Sequence, residues 1–274
     1  MHLAAHVGGL FDNTRRPADF IANNLAIDQN VLRLCHEFRV SQRVPRPQPW
    51  MWSFEQLTPM QVSKLISCLS TCVFPDKVSY PIDETMLHDG PPHSSNFAYA
   101  HAKRMLDVSS RAYRAQHGCN FVTIIPTNIY GPHDNFGDGC HVIPAIIKRV
   151  AAAKNNGDGE MRVPGTGKAL RQFIYSRDLA KLIIFSLRSY NDPQPLILSV
   201  DAEEETTIKK AVELICEESA YTGSVVWDSS QSDGQLRKTA DNRRLKSLVP
   251  DLDFTPIRQG MSIITRLPLL FEGS

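Results

Sequence analysis

Tyr99 and Lys103 stand four residues apart in the stretch FAYAHAKRML, and Ser70 directly follows the apolar run KLISCL. On a helix, residues four apart share a face about one turn apart. A phenol titrates at about 10 and is a poor acid–base group near neutral pH. A nearby ammonium favours the phenolate and lowers that value. A serine hydroxyl can then hold a carbonyl oxygen while the tyrosine passes a proton, the chemistry of hydride transfer to or from a carbonyl. The Y-x-x-x-K spacing alone is not specific, because Tyr and Lys commonly share a helix face. Taken singly, Cys72 reads as a small buried hydrophobe and His141 as a surface histidine near a helix start.

Other features carry less. Gly165-Thr166-Gly167-Lys168 invites a phosphate-loop reading, but Ala169 follows the lysine where Ser or Thr is required. The six cysteines form no C-x-x-C pair. Their spacing suggests neither zinc nor a disulfide framework, and no metal site is expected.

These residues need elements to position them. Apolar residues at helical spacing from Ala18 to Phe38 (Phe20, Ile21, Leu25, Ile27, Val31, Leu32, Leu34) predict a long helix opened by Pro17. Lys64 to Leu69 suits a buried parallel strand and places Ser70 past its carboxyl end, where open α/β sheets bind ligands. Further helices are predicted over Phe97–His117, ending at Gly118, and over His141–Lys154, Arg177–Tyr190 and Thr206–Ser219. Two short ones are expected near Asn242–Leu248 and Pro256–Thr265. Strands are predicted over Phe121–Ile125, Met161–Val163, Leu196–Val200 and Ser224–Trp227, with a loop over Pro75–Ser95. Alternating helices and apolar strands argue for an α/β fold with parallel pairing. No internal repeat is visible.

The 274 residues are 42% hydrophobic, 22% charged and 8% aromatic, ordinary for a globular chain. A net charge of +1 disfavours a broad nucleic-acid footprint. No apolar run nears the roughly 18 residues of a membrane span. The apolar N-terminus has no preceding positive charge, so a secretory signal is not expected and the thiols are expected to be reduced in the cytoplasm.

Ser70-Thr71-Cys72-Val73-Phe74-Pro75, Pro126-Thr127-Asn128-Ile129-Tyr130-Gly131-Pro132-His133-Asp134-Asn135-Phe136, and the sets CHVIPAII, RQFIYSRDLA and SDGQLRK closely resemble the extended short-chain dehydrogenase/reductase family. Within it, they resemble the bifunctional branch acting on GDP-4-keto-6-deoxy-D-mannose. The resemblance runs from His2 to about Ile257, excluding Arg43 to Val62. It implies 3,5-epimerisation followed by NADPH-dependent 4-reduction to GDP-L-fucose. Ser70, Tyr99 and Lys103 match the reductase triad, with Tyr99 protonating the C4 oxygen and Lys103 also touching the nicotinamide ribose. Cys72 and His141 match the epimerase pair, which fits the acidity of C3 and C5 beside a ketone. His2, Leu3, Ala4, Ala5, Ser70, Lys103, Pro126, Thr127, Asn128, Ile129 and His141 match positions around NADP. Arg149, Arg171 and Asp233 match substrate positions, where the guanidinium fork suits phosphate. The resemblance has a tryptophan before Gly165, where this chain has Pro164 and lacks that planar surface. A homodimer contacting through Ala18–Phe38 and Phe97–His117 is implied.

The implied fold is a partial Rossmann-type parallel sheet with a smaller C-terminal α/β substrate domain. Residues 1–140 form the cofactor part and 141–274 mainly the substrate part, with 172–200 returning to the first. No G-x-x-G-x-x-G or G-x-G-x-x-G turn occurs. The first βαβ units are therefore expected to be missing, leaving the sheet without its central strand and one wing. Arg43–Val62 reads as an insertion at the end of the sheet opposite the site, and Arg266–Ser274 departs from the expected closing helix. Together these suggest a truncated or misassembled gene product. The alternatives are a non-catalytic relative without the dinucleotide loop and another sugar-nucleotide epimerase, although a 4-epimerase has no need of the Cys72 and His141 pair.

Overall fold

The structure is a computed structural model describing residues 1–40 and 62–266. Residues 43–61 of the expected insertion and 267–274 of the expected tail departure lie outside the described residues.

Helices α1 (Leu10–Arg15) and α2 (Pro17–Val40) come first. The start of α2 at Pro17 follows from proline's fixed φ and missing N–H, both harmless in a first turn. Its fully buried stripe is Phe20, Asn24, Asp28 and Leu32, each at 0% exposure, whereas Leu34 is 41% exposed. The helix is thus amphipathic at the predicted place, but two polar residues occupy the inward face. Strand β1 (Leu65–Cys68) follows, then α3 (Phe97–His117), which ends at Gly118 with φ +61. That left-handed cap lets the Gly118 N–H reach the carbonyl of Arg114. The stretch predicted as loop carries two 3₁₀ turns, Glu84–His88 and Ser94–Asn96.

Strands β2 (Phe121–Pro126) and β3 (Asn128–Tyr130) are separated only by Thr127. Next come α4 (Val142–Asn156), β4 (Glu160–Pro164), β5 (Leu170–Arg171), β6 (Phe173–Tyr175) and α5 (Ser176–Ser189). The chain continues through β7 (Leu196–Leu198), β8 (Thr206–Thr207), α6 (Ile208–Glu218), β9 (Ser224–Asp228), α7 (Arg243–Leu248) and α8 (Ile257–Thr265). Strands β3, β5, β6 and β8 were not predicted. Each has two or three residues, too few for a period to be visible.

The main sheet has the order β1-β2-β7, all parallel. His2 bridges to Ser67 on the outer side of β1. Side chains alternate across this sheet. Leu65, Phe121, Ile125 and Ile197 pack with Leu32 and Leu106 on the α2–α3 side. Ile66, Val122, Ile124, Leu196 and Leu198 pack with Leu179, Leu182 and Leu245 on the α5–α7 side. Helices therefore cover both faces. A second core joins α4, α6 and α8 to the parallel pairs β3–β6 and β4–β9, through Ile146, Ile147, Val150, Val163, Phe173, Val212, Ile215 and Ile264. Because β2 runs directly into β3, the two cores meet at the carboxyl end of the main sheet.

Candidate active site

Ser70 caps a 3₁₀ turn, Thr71–Val73, as the chain leaves β1, and its Oγ accepts the Cys72 N–H at 3.4 Å. The turn is tied on both sides. The Leu69 N–H donates to the carbonyl of Ile124 on β2 at 2.8 Å. Arg104 Nε on α3 donates to the carbonyl of Val73 at 2.6 Å. A charged donor to a carbonyl is among the stronger hydrogen bonds, so the residue after Lys103 pins the strand-end turn to the helix carrying Tyr99 and Lys103. Ser70 and Cys72, the hydroxyl and thiol named from the sequence, therefore share one short turn.

Lys103 is 2% exposed and its Nζ lies 3.7 Å from Asp28 Oδ1. The same oxygen is 2.7 Å from His2 Nε2. One helical turn earlier, the Asn24 side chain accepts the His6 N–H at 2.9 Å and donates to the His6 carbonyl at 3.0 Å. Phe20 stacks on His6 at 4.4 Å and meets Tyr99 edge-on at 6.3 Å. The inward stripe of α2 thus holds the His2–His6 segment against the triad. Sequence reading missed Asn24 and Asp28, although their spacing with Phe20 and Leu32 placed both on the buried face.

The electrostatics differ from the sequence expectation in one respect. Lys103 was expected to lower the Tyr99 pKa, whereas the Tyr99 phenol is held well above its usual value. Burial is the main cause, and the negative forms of Cys72, Cys68 and Asp28 add to it. The ammonium of Lys103 faces Asp28, which offsets its pull on the phenol. Tyr99 therefore stands as a proton donor. Burial likewise pushes up the Cys72 thiol, opposed first by the charge of Lys238 and then by the bond to Ser70. Lys238 is itself pushed down to about 8, by burial and by Arg171. Lys238 lies within the SDGQLRK set but was not singled out from the sequence.

The carboxyl end of β2 supplies the next wall. The Thr127 N–H bonds to Leu198 at 3.2 Å and Asn128 to the carbonyl of Gln172, so Pro126–Ile129 passes rigidly between the cores. The Thr127 Oγ1 is buried without a hydrogen-bond partner among the described residues. Like Lys103 and the His2–Ala5 segment, it lies at the strand ends, where open parallel sheets bind ligands.

The remaining candidates sit around the second core: His141 before α4, Arg149 on α4, Arg171 on β5 and Asp233 in the loop after β9. His141 precedes α4, is exposed, and lies near Asp134, whose carboxyl burial pushes up against the Asn135 N–H and the charge of His141. Among the described residues no hydrogen bond joins it to Cys72. Arg149 is exposed, with a marginal 3.5 Å contact to the carbonyl of Arg162. Arg171 is half-buried and pushed down to about 10 by burial, with Asp233, Tyr80 and Glu205 opposing the shift. Both oxygens of Asp233 are engaged by Thr166, from its N–H at 2.8 Å and its hydroxyl at 2.6 Å. Gly165 makes this possible: its φ is +91, and a Cβ there would collide with the Asp233 carboxylate. Trp227 closes against Gly167, on the strand beside Pro164.

Comparison with known proteins agrees with this geometry. Residues 1–200 match the NAD dependent epimerase/dehydratase family. The GDP-L-fucose synthase of Dictyostelium discoideum is 51% identical over 264 residues, covering 95% of this chain and 75% of that protein. A probable GDP-L-fucose synthase of Drosophila melanogaster is 44% identical, covering 96% of this chain and 77% of its own length. A GDP-L-fucose synthetase from Naegleria fowleri, crystallised bound to NADP, superposes with a TM-score of 0.81 at 38% identity, covering 96% of this chain and 74% of that one. A hydroxyl, phenol and ammonium at the end of a parallel sheet, in a chain with these relatives, place it: the chain belongs to the NAD dependent epimerase/dehydratase family, among its GDP-L-fucose synthases.

Proposed function

We propose that the chain converts GDP-4-keto-6-deoxy-D-mannose to GDP-L-fucose, by epimerisation at C3 and C5 and then reduction at C4. The observation that carries this is the single turn holding both Ser70 and Cys72, bonded to the helix of Tyr99 and Lys103. Reductase and epimerase groups then face one carbonyl-bearing ring. Of Cys72 and His141, one takes a proton from a carbon beside the ketone and the other returns a proton on the opposite face. Ser70 donates to the C4 oxygen, and Tyr99 gives it a proton. Positioned acid–base groups of this kind contribute roughly 10² to 10⁴ in rate. NADPH supplies a hydride to the carbonyl carbon when bound, and Lys103, His2–Ala5 and Pro126–Ile129 are the residues that would hold it. Arg149, Arg171 and the turn braced by Asp233 take the GDP moiety. The alternative of a non-catalytic relative is not favoured, since the matching relatives bear the synthase name.

The same reading divides the chain into a cofactor part, residues 1–140 with 172–200, and a substrate part comprising the rest. It includes a homodimer formed through α2 and α3, supported by the exposed Leu34, Phe38, Met105 and Val108 on those helices. It also includes a cytoplasmic setting, supported by six free cysteines. The test is to incubate the purified chain with the 4-keto sugar nucleotide and NADPH in deuterated water. The expected result is NADPH consumption with deuterium at both C3 and C5. Reduction without exchange removes the epimerase assignment, and neither signal overturns the proposal.

A further inference from the structure

Asp28 is fully buried, yet its carboxylate serves no helix end, sheet edge or turn. Its Oδ1 takes both the His2 imidazole at 2.7 Å and the Lys103 ammonium at 3.7 Å, and its Oδ2 has no partner among the described residues. A buried carboxylate left half-satisfied is costly. Its place on the helix facing the triad supplies a reason to keep it. The charged forms that act on Tyr99 come from three elements: Cys72 from the turn after β1, Cys68 from β1 and Asp28 from α2, with Lys103 of its own helix turned to Asp28.

We propose that Asp28 is a positioning residue of the reductase cluster, fixing Lys103 and the His2 segment and, through its charge, keeping Tyr99 protonated until a carbonyl arrives. The inference rests on the reductase reading above. A reductase needs its phenol loaded with a proton. A lysine left alone beside that phenol pulls the proton off. Asp28 counters this by holding the ammonium, with Oδ1 3.7 Å from Nζ, and by adding a negative charge to the surroundings of the phenol. The direction found for Tyr99, set mainly by burial and then by Cys72 and Cys68, includes a contribution of this sign from Asp28. Through His2, the same carboxylate ties the first segment assigned to the cofactor to the catalytic lysine.

The experiment compares Asp28→Asn, Asp28→Ser and Asp28→Glu with the unchanged chain. Tyrosinate absorbance is titrated in protein without substrate, with Tyr99→Phe identifying the Tyr99 contribution. Reduction is followed against pH, and NADPH binding by fluorescence. In both neutral variants the Tyr99 ionisation and the alkaline fall of reduction are expected to move down by about one pH unit. NADPH binding should weaken, and Asp28→Glu should restore the wild-type midpoint. Neutral variants that lose rate but keep the wild-type midpoint would overturn the proposal and leave Asp28 a purely structural group. An unchanged chain that reduces nothing would sink the functional reading instead, while the absorbance titration still decides the role of Asp28.

Discussion

The two cores treat their charged residues in opposite ways. Around the main sheet, the groups that handle protons are buried and paired in advance: Lys103 and Asp28 are 2% and 0% exposed. Around α4 and β5, the arginines assigned to the sugar nucleotide are less enclosed. Arg149 is exposed, and the half-buried Arg171 is held by backbone carbonyls of Leu170 and Leu236. Proton transfer requires reacting atoms at fixed distances before substrate arrives, so its cost is met in folding. Recognition of a charged ligand tolerates side chains that settle on binding. The comparison teaches that the candidate residues divide into a rigid half and a receptive half.

The sharpest way to break this picture is to separate the chemical steps. Tyr99→Phe is expected to lower reduction by roughly 10² to 10⁴ while leaving deuterium exchange at C3 and C5 within about threefold. Cys72→Ser should do the reverse, abolishing most exchange while an already epimerised ketone is still reduced. NADPH oxidation and mass spectrometry of the sugar nucleotide read the two steps independently. Equal loss of both in either variant would mean that the turn and the helix act as one unit.

Lys238 joins the two halves, because it faces both Cys72 and Arg171. Its pKa is about 8, so its charge supports the Cys72 thiolate below that pH and fades above it. Lys238→Met is expected to slow C3 and C5 exchange about tenfold near neutrality, with the deficit shrinking as pH rises. A deficit independent of pH would show that the lysine acts on the substrate and not on the thiol. Asp233→Asn should be milder. It weakens the two bonds that hold Thr166 and should raise the sugar-nucleotide KM about tenfold, a loss of roughly 1.4 kcal/mol. The pH profile of reduction should stay in place, because Asp233 belongs to the receptive half.

How far these halves could be read in advance differed for a physical reason. Ser70, Tyr99 and Lys103 were legible because strand end and helix face follow from local pattern. The long helices α2 and α3 were legible for the same reason. Asp28 and Asn24 were passed over because an apolar count along α2 favours Ile21, Leu25 and Leu34, whereas the buried face runs through Phe20, Asn24, Asp28 and Leu32. Only packing against the His2 segment reveals why polar atoms point inward. Strands β3, β5, β6 and β8 are set by partners distant in the chain, such as Asn128 beside Phe173, and carry no local signal. The raised phenol of Tyr99 depends on three-dimensional neighbours from other elements and could not be inferred from the four-residue spacing.

The smallest expected effect tests whether buried charge in the rigid half is always useful. Glu84 is 7% exposed, and its carboxylate accepts the Ile197 N–H on β7 at 3.0 Å. Burial pushes its pKa up, against the pull of that N–H. For a carboxylate raised in the fold, the stabilising contribution is full below its unfolded value and is lost as pH rises through the folded value. The ionised form is therefore a cost near neutrality. Glu84→Gln keeps an acceptor for Ile197 and removes the charge. Its Tm should match the wild type at about pH 4 and exceed it by roughly 1–2 °C at about pH 8. A drop of more than about 3 °C at the higher pH would show that the Glu84 charge is needed. The rigid half would then depend on that charge for stability as well as on Asp28 for catalysis.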